Sequence, residues 1–253
     1  MQQWLLKQKQ TTHWGNTLAT AQALHALVVA SPTQVLSNSA EGVKVKVGGE
    51  TIDTSSDDNI RDKRLGIIRK EWTPEEIRPE LATIRLEQTG ETPAWGSVIW
   101  QYFEEIDKVK ASATGLSLKC TYYKVENRDG REALIALPAS SPVHKGDHIR
   151  VCLQFTADRA MDYIELRMPR PAALEPSSTR SGYTYHKGMA YYRSIENTRN
   201  VYYLYRIDKG RYTIDCDFWV SQSGTYSCAL STIQCMYDPT FMATSETMQL
   251  DVR

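Results

Sequence analysis

The chain has 253 residues, 41% of them hydrophobic, which is enough for one large core or two smaller ones. Thirty basic residues balance thirty acidic ones, so no electrostatic footprint marks the chain for nucleic acid or an anionic membrane surface. The longest apolar run, residues 18–30, falls short of a membrane span of about 18 residues and is broken by Thr20, Gln22 and His25. It follows mixed-polarity sequence rather than a short basic start, so it does not read as a signal peptide either.

The first thirty residues read as two short helices. Trp4, Leu5 and Leu6 sit in a polar setting, His13, Trp14 and Gly15 break the pattern, and Leu18, Ala21, Leu24 and Val28 then recur at helical spacing. Asn16 or Thr17 supplies the cap and Pro32 the stop. So short a pair cannot bury its own apolar face, so it is expected to pack on the β region or to self-associate with a second copy.

Residues 33–115 change to strand character. Val43, Val45 and Val47 alternate with Lys44 and Lys46 and lead through Gly48 and Gly49 into Thr51 and Ile52, a hairpin signal. Residues 53–63 read as a polar loop, and 65–72, 82–87 and 96–103 as further strands of a small β domain. From residue 116 the strands lengthen: 116–125, 132–137, 148–156 with Ile149, Val151, Leu153 and Phe155 on one face, and 163–168. Residues 170–188, rich in Pro, Ser and Gly, read as a long loop, followed by strands over 191–195 and 201–207.

Residues 210–239 read as a long hairpin. Tyr212, Ile214, Cys216 and Phe218 alternate on one arm, residues 221–224 turn, and Tyr226, Cys228 and Leu230 alternate on the other. The second arm ends in Met236, Tyr237, Asp238 and Pro239, where the proline lacks a donor and stops pairing, leaving an aromatic ring at the mouth of a turn. A final strand points Met248, Leu250 and Val252 inward and Thr247, Gln249 and Asp251 outward. The fold class is mainly β: an immunoglobulin-like sandwich preceded by a smaller β domain and a helix pair.

Chemical motifs are sparse. Cys120, Cys152, Cys216, Cys228 and Cys235 are odd in number and lack Cys-x-x-Cys spacing, so they read as small buried hydrophobes. A disulfide between Cys216 and Cys228, on opposite hairpin arms, stays open. His144 and His148 have the i, i+4 spacing of a metal pair, but a turn at Lys145, Gly146 and Asp147 keeps them off a common face, and both read as solvated loop residues. Glu75 with Glu76 and Glu104 with Glu105 are sequence neighbours that point apart in strands. Nothing reads as an active site, a metal site or a cofactor site.

The Ser/Gly turn, the Met236-Tyr237-Asp238-Pro239 end and the final alternating strand, with Gly182 to Tyr185, Tyr191 to Arg193 and Lys209 to Tyr212 upstream, resemble the C-terminal macroglobulin-like domain of bacterial α2-macroglobulins. Trp4, Trp14 and the Ala21, Ala23, Leu24 run resemble the last helix pair of the thioester-carrying α/α toroid of that family. The resemblance implies that 1–32 is a toroid remnant, 33–115 an incomplete CUB-like β domain whose first half precedes the toroid, and 116–253 the C-terminal macroglobulin-like sandwich.

It also implies a non-catalytic module of a protease trap, exported to the periplasm, outer membrane or beyond. Its partners are then upstream domains of the same polypeptide and, through the full-length protein, target proteases; no nucleic acid, metal or cofactor is called for. The family's thioester needs a Cys-x-Glu-Gln motif, and here Arg85 stands where the cysteine belongs, before Leu86, Glu87 and Gln88. Tyr237, with Met236, Asp238 and Pro239, is expected to contact or shield the thioester-type domain. The competing reading is an extracellular adhesion or carbohydrate-binding sandwich using Tyr183, Tyr185, Tyr191, Tyr192, Tyr202, Tyr203 and Tyr205 as a platform.

Overall fold

The computed structural model describes residues 4–5, 8–9, 13–30, 43–52, 60–62, 67–89, 98–99, 103, 105, 108–138 and 141–253. The chain divides into two compact units, 1–8 with 14–99, and 9–13 with 100–253.

In the first unit helix α1 (Thr17–Ala30) begins where the sequence places it. Asn16 Oδ1 accepts the Ala19 N–H at 2.8 Å, which satisfies one of the orphan donors of the first turn. Of the earlier helix only Trp4 and Leu5 are described, both helical; the rest, like Pro32, lies outside the described residues. Leu18, Leu24 and Val28 are exposed and Ala23 is buried. Strand β1 (Val43–Val47) turns through Gly48 and Gly49 into β2 (Glu50–Thr51), as the double glycine predicts. The expected polar loop over 53–63 contains a strand at its end, β3 (Ile60–Asp62), which pairs with β4 (Ile67–Ile68). Strand β5 (Ile84–Gln88) completes the sheet β2-β1-β5. Arg85, Leu86, Glu87 and Gln88 therefore lie in a strand. The expected strand at 96–103 is not formed at Val98, Ile99 or Phe103, which are irregular and exposed; its other residues lie outside the described ones.

The second unit runs through β6 (Ser112–Thr114), β7 (Leu116–Arg128), β8 (Arg131–Ala136), β9 (Pro142–Val143), β10 (His148–Ala157), β11 (Met161–Pro169), β12 (Leu174–Pro176), β13 (Gly182–His186), β14 (Met189–Ile195) and β15 (Arg199–Ile207). It ends with β16 (Gly210–Val220), β17 (Gly224–Cys228), β18 (Thr232–Cys235), β19 (Met242–Thr244) and β20 (Met248–Val252). A five-stranded sheet, β12-β16-β10-β7-β8, and a seven-stranded one, β13-β14-β15-β11-β18-β19-β6, accompany a three-stranded sheet β17-β20-β9. One core joins them: Ile149, Val151, Leu153 and Phe155 of β10 and Ile214 and Phe218 of β16 cluster with Ile164, Leu166, Leu204 and Ile233 of the seven-stranded sheet. This is the sandwich that strict two-residue alternation demands, since each strand has one face to bury.

Two expectations are corrected. The long hairpin over 210–239 does not form: β16 pairs with β10 and β12, whereas β17 pairs with β20 in another sheet. Residues after Val220 cross between sheets, with the Val220 carbonyl taken by the Gly146 N–H and the Ser221 N–H given to the Ala173 carbonyl. The supposed loop over 170–188 holds β12 and β13, because edge strands of three and five residues need only one partner each and tolerate flanking proline and glycine.

The Tyr237 turn as a candidate contact site

Strand β18 ends at Cys235 and β19 begins at Met242, so Met236 to Phe241 form the connection. Two β-turns build it: the Asp238 N–H donates to the Cys235 carbonyl at 3.3 Å, and the Phe241 N–H to the Asp238 carbonyl at 3.0 Å. Asp238 opens the second turn and Pro239 follows it, the position where a fixed φ is favoured. The Asp238 carboxylate accepts the Thr240 hydroxyl, and the Cys235 N–H closes the loop onto the Phe241 carbonyl at 2.9 Å. Phe241 is anchored below, against Gly115. That glycine has φ +68°, and a Cβ there would lie 2.5 Å from the Phe241 ring, so the close approach requires glycine. The Arg159 guanidinium sits over the Phe241 ring, 5.0 Å from its centroid.

The turn projects Tyr237, 64% exposed, and Met236, 45% exposed, away from the core. Tyr237 is not isolated: its ring stands edge-on to Tyr163 at 5.0 Å, and Tyr163 stands edge-on to Tyr205 at 5.2 Å. Tyr163, on β11, has φ +56°, a conformation that costs a non-glycine residue on the order of 1–3 kcal/mol. The Tyr205 hydroxyl within hydrogen-bonding reach, followed by the nearby Tyr205 charge, holds the Tyr163 phenol above its ordinary pKa. The Asp162 carboxylate, almost fully buried next to Tyr163, lies 2.8 Å from His13 Nε2 and 3.9 Å from the Arg206 guanidinium.

Sequence reasoning singled out Tyr237, placed Tyr205 only on the tyrosine platform, and missed Tyr163. A signal was present: Met161 and Ile164 are both fully buried, three residues apart, so strict alternation fails between them and something must twist at 162–163. The tyrosine platform also needs correction. Tyr183, Tyr185, Tyr192 and Tyr205 are exposed, but Tyr191 and Tyr202 are buried, Tyr191 two residues after the buried Met189 on β14 and Tyr202 two residues before the buried Leu204 on β15. Register places Tyr183, Tyr192, Tyr203 and Glu165 in one row across four strands.

The cysteines are all unpaired thiols. Cys216 and Cys228 belong to different sheets, and the bond left open between them is not formed. Burial pushes the Cys216 thiol up to about 12, although its 2.7 Å bond with the Tyr202 hydroxyl acts against this. Burial likewise pushes Cys120 up to about 12 and Cys228 to about 11, with the Tyr122 hydroxyl opposing in both cases. Burial, then Asp215, takes Cys152 to about 11. Thiols so placed stay protonated near neutrality and are poor nucleophiles. His148 is no loop residue: it begins β10, stacks on Trp219 at 4.5 Å, and holds Nε2 3.4 Å from Asp217 Oδ1. Among the described residues no group of three or more His, Cys, Asp or Glu is arranged to hold a metal, and no helix is long and apolar enough to cross a membrane.

Residues 115–240 match the family model described as the bacterial alpha-2-macroglobulin MG10 domain. No curated protein matches the chain. Among solved structures it is similar to Salmonella alpha-2-macroglobulin reacted with methylamine, at 18% identity and TM-score 0.44 over 68% of this chain and 11% of that one. It is also similar to Escherichia coli alpha-2-macroglobulin activated by porcine elastase, at 14% identity and TM-score 0.48 over 94% of this chain and 20% of that one. A non-cellulosomal cohesin from Archaeoglobus fulgidus is similar at 15% identity and TM-score 0.31, over 46% of this chain and 88% of that one. The chain thus spans between 11% and 20% of the length of those two macroglobulin chains.

Proposed function

Through residues 115–240 the chain belongs to the bacterial alpha-2-macroglobulin family as a carrier of its MG10 domain, and from that premise we propose that it is a non-catalytic module of an alpha-2-macroglobulin-like protease inhibitor. In this reading Met236, Tyr237, Asp238 and Pro239 contact the thioester-type domain of the same polypeptide, and the Tyr237 ring excludes water from a bond that hydrolyses when wet. The partners are upstream domains of that polypeptide and, through the whole protein, target proteases; the whole protein is exported to the periplasm or outer membrane, or secreted. Residues 1–32 are read as the end of the toroid, 33–115 as the CUB-like remainder and 116–253 as the macroglobulin-like sandwich.

The observation that carries this reading is the turn itself. Its backbone is closed by three hydrogen bonds and its aromatic ring is held in place yet 64% exposed. A ring ordered by neighbours but left in water is preorganised for a partner, since little side-chain entropy remains to be lost on docking. The adhesion or carbohydrate-binding reading is less well supported, because Tyr183 and Tyr192 meet at 76° and Tyr163 and Tyr205 at 81°. Edge-on rings do not make the flat platform on which a sugar ring stacks.

The test compares hydrogen exchange of residues 236–238 in the full-length parent and in the 253-residue chain. A docked turn gains protection in the parent, and Tyr237→Ala in the parent removes that gain. In a parent carrying a thioester, the same substitution also speeds its reaction with small amines. Equal exchange in parent and isolated chain would overturn the reading.

A further inference from the structure

We propose that Tyr163 is the positioning residue of this contact: its left-handed backbone and its ring together set the pose of the Met236–Pro239 turn. The inference rests on reading Tyr237 as a contact, and it adds the element that makes that contact rigid.

Successive carbonyls of a strand ordinarily point to opposite neighbours. At Asp162 and Tyr163 they do not. The Asp162 carbonyl accepts the Cys235 thiol at 3.2 Å, and the Tyr163 carbonyl accepts the Met236 N–H at 2.9 Å, so both serve the end of β18 and the turn beyond it. The rotation to φ +56° at Tyr163 achieves this. On the opposite side the ladder to β15 pairs Asp162 with Arg206 and Ile164 with Leu204 but omits Tyr163.

The internal bonds of the turn close it on itself; Phe241 anchors its far end against Gly115, and the Met236 to Tyr163 bond ties the end that carries Tyr237 to the sheet. The ring supplies the second tether. Tyr163 lies between Tyr205 and Tyr237, edge-on to each at 81° and 86°, so Tyr237 is braced through Tyr163 against a ring on β15. Were the backbone alone at issue, glycine or asparagine would suit a left-handed position better than tyrosine. A large aromatic residue there shows that the ring has a use at that site.

The experiment uses Tyr163→Phe, Tyr163→Gly and Tyr163→Asn in the 253-residue chain. Two quantities are read: the Tyr237 χ1 distribution from NMR couplings, and exchange of the Met236 amide, with Ile164 and Leu166 amides reporting that the sheet persists. Tyr163→Phe keeps the backbone and ring and should preserve a single Tyr237 rotamer. Tyr163→Gly tolerates the left-handed backbone but deletes the brace, so Tyr237 should average over rotamers and Met236 exchange should rise several-fold to about tenfold. Tyr163→Asn, which also tolerates that backbone, gives the same ring deletion should glycine loosen β11.

A single Tyr237 rotamer with unchanged Met236 exchange in both ring-deleting variants would overturn the proposal. That outcome is separable from failure of the contact reading. A pose lost in Tyr163→Gly beside equal exchange of the turn in parent and chain refutes only the contact. A pose retained beside protection of the turn in the parent refutes only the role of Tyr163.

Discussion

Replacing Tyr237 by alanine should destabilise the chain far less than replacing Tyr202, and the structure sets the expected sizes. Tyr237 is 64% exposed, so about a third of a side chain that buries roughly 200 Å² when enclosed is out of water, worth about 1.5–2 kcal/mol at 25 cal/mol per Å². The edge-on pair with Tyr163 adds about 0.5–1.5 kcal/mol, and the rotamer freedom regained on truncation offsets about 1 kcal/mol. Tyr237→Ala should therefore cost about 1–2.5 kcal/mol. Tyr202 is 1% exposed and its hydroxyl is bonded to Cys216 Sγ at 2.7 Å, so Tyr202→Ala should cost about 3–5 kcal/mol for the cavity, with a further contribution from the thiol left unpartnered. Urea unfolding of both variants gives the comparison, provided the denaturant slope stays constant. A Tyr237→Ala loss of 3 kcal/mol or more, on the scale expected for a buried aromatic, would assign the ring to packing and remove the basis for a contact role.

Alkaline pH offers a second check. Cys120 and Cys216 are pushed from 9.0 to about 12, first by burial, so above pH 9.0 the unfolded chain loses these protons while the folded chain keeps them. Stability is then complete below pH 9.0 and falls as pH rises toward 12, by up to about 1.4 kcal/mol per pH unit for each thiol. Cys216→Ala should make the fall shallower, and urea midpoints with identical slopes in wild type and variant would contradict the assigned burial. Gly115→Ala should lower the thermal midpoint, because a Cβ 2.5 Å from the Phe241 ring at φ +68° adds overpacking of about 1–3 kcal/mol to the backbone strain. An unchanged midpoint would mean that the Phe241 anchor of the turn yields freely.

Alternation decided which side chains face the core, because a strand with one buried face must repeat every two residues. Ile149 to Phe155 and Met248 to Val252 were legible on that ground alone, as were the glycine turn at Gly48 and Gly49 and the Asn16 cap. Pro239 marked a turn for an equally local reason, its fixed φ, although β18 already ends at Cys235. The partner of each strand was not local. The period of β16 is the same whether it folds back on β17 or pairs with β10 and β12, and only competition for sheet edges, resolved across sixty residues of chain, selected the second.

Tyr191 and Tyr202 were misjudged as surface because tyrosine suits either side of a half-wet sheet, and the choice follows from the register of β14 and β15. The left-handed turn at Tyr163 depends on two carbonyls meeting Cys235 and Met236, some seventy residues away. No propensity of tyrosine predicts it. The sequence could thus locate the ring of Tyr237 at a turn, whereas the brace that holds it arises only when β11, β15 and β18 lie side by side.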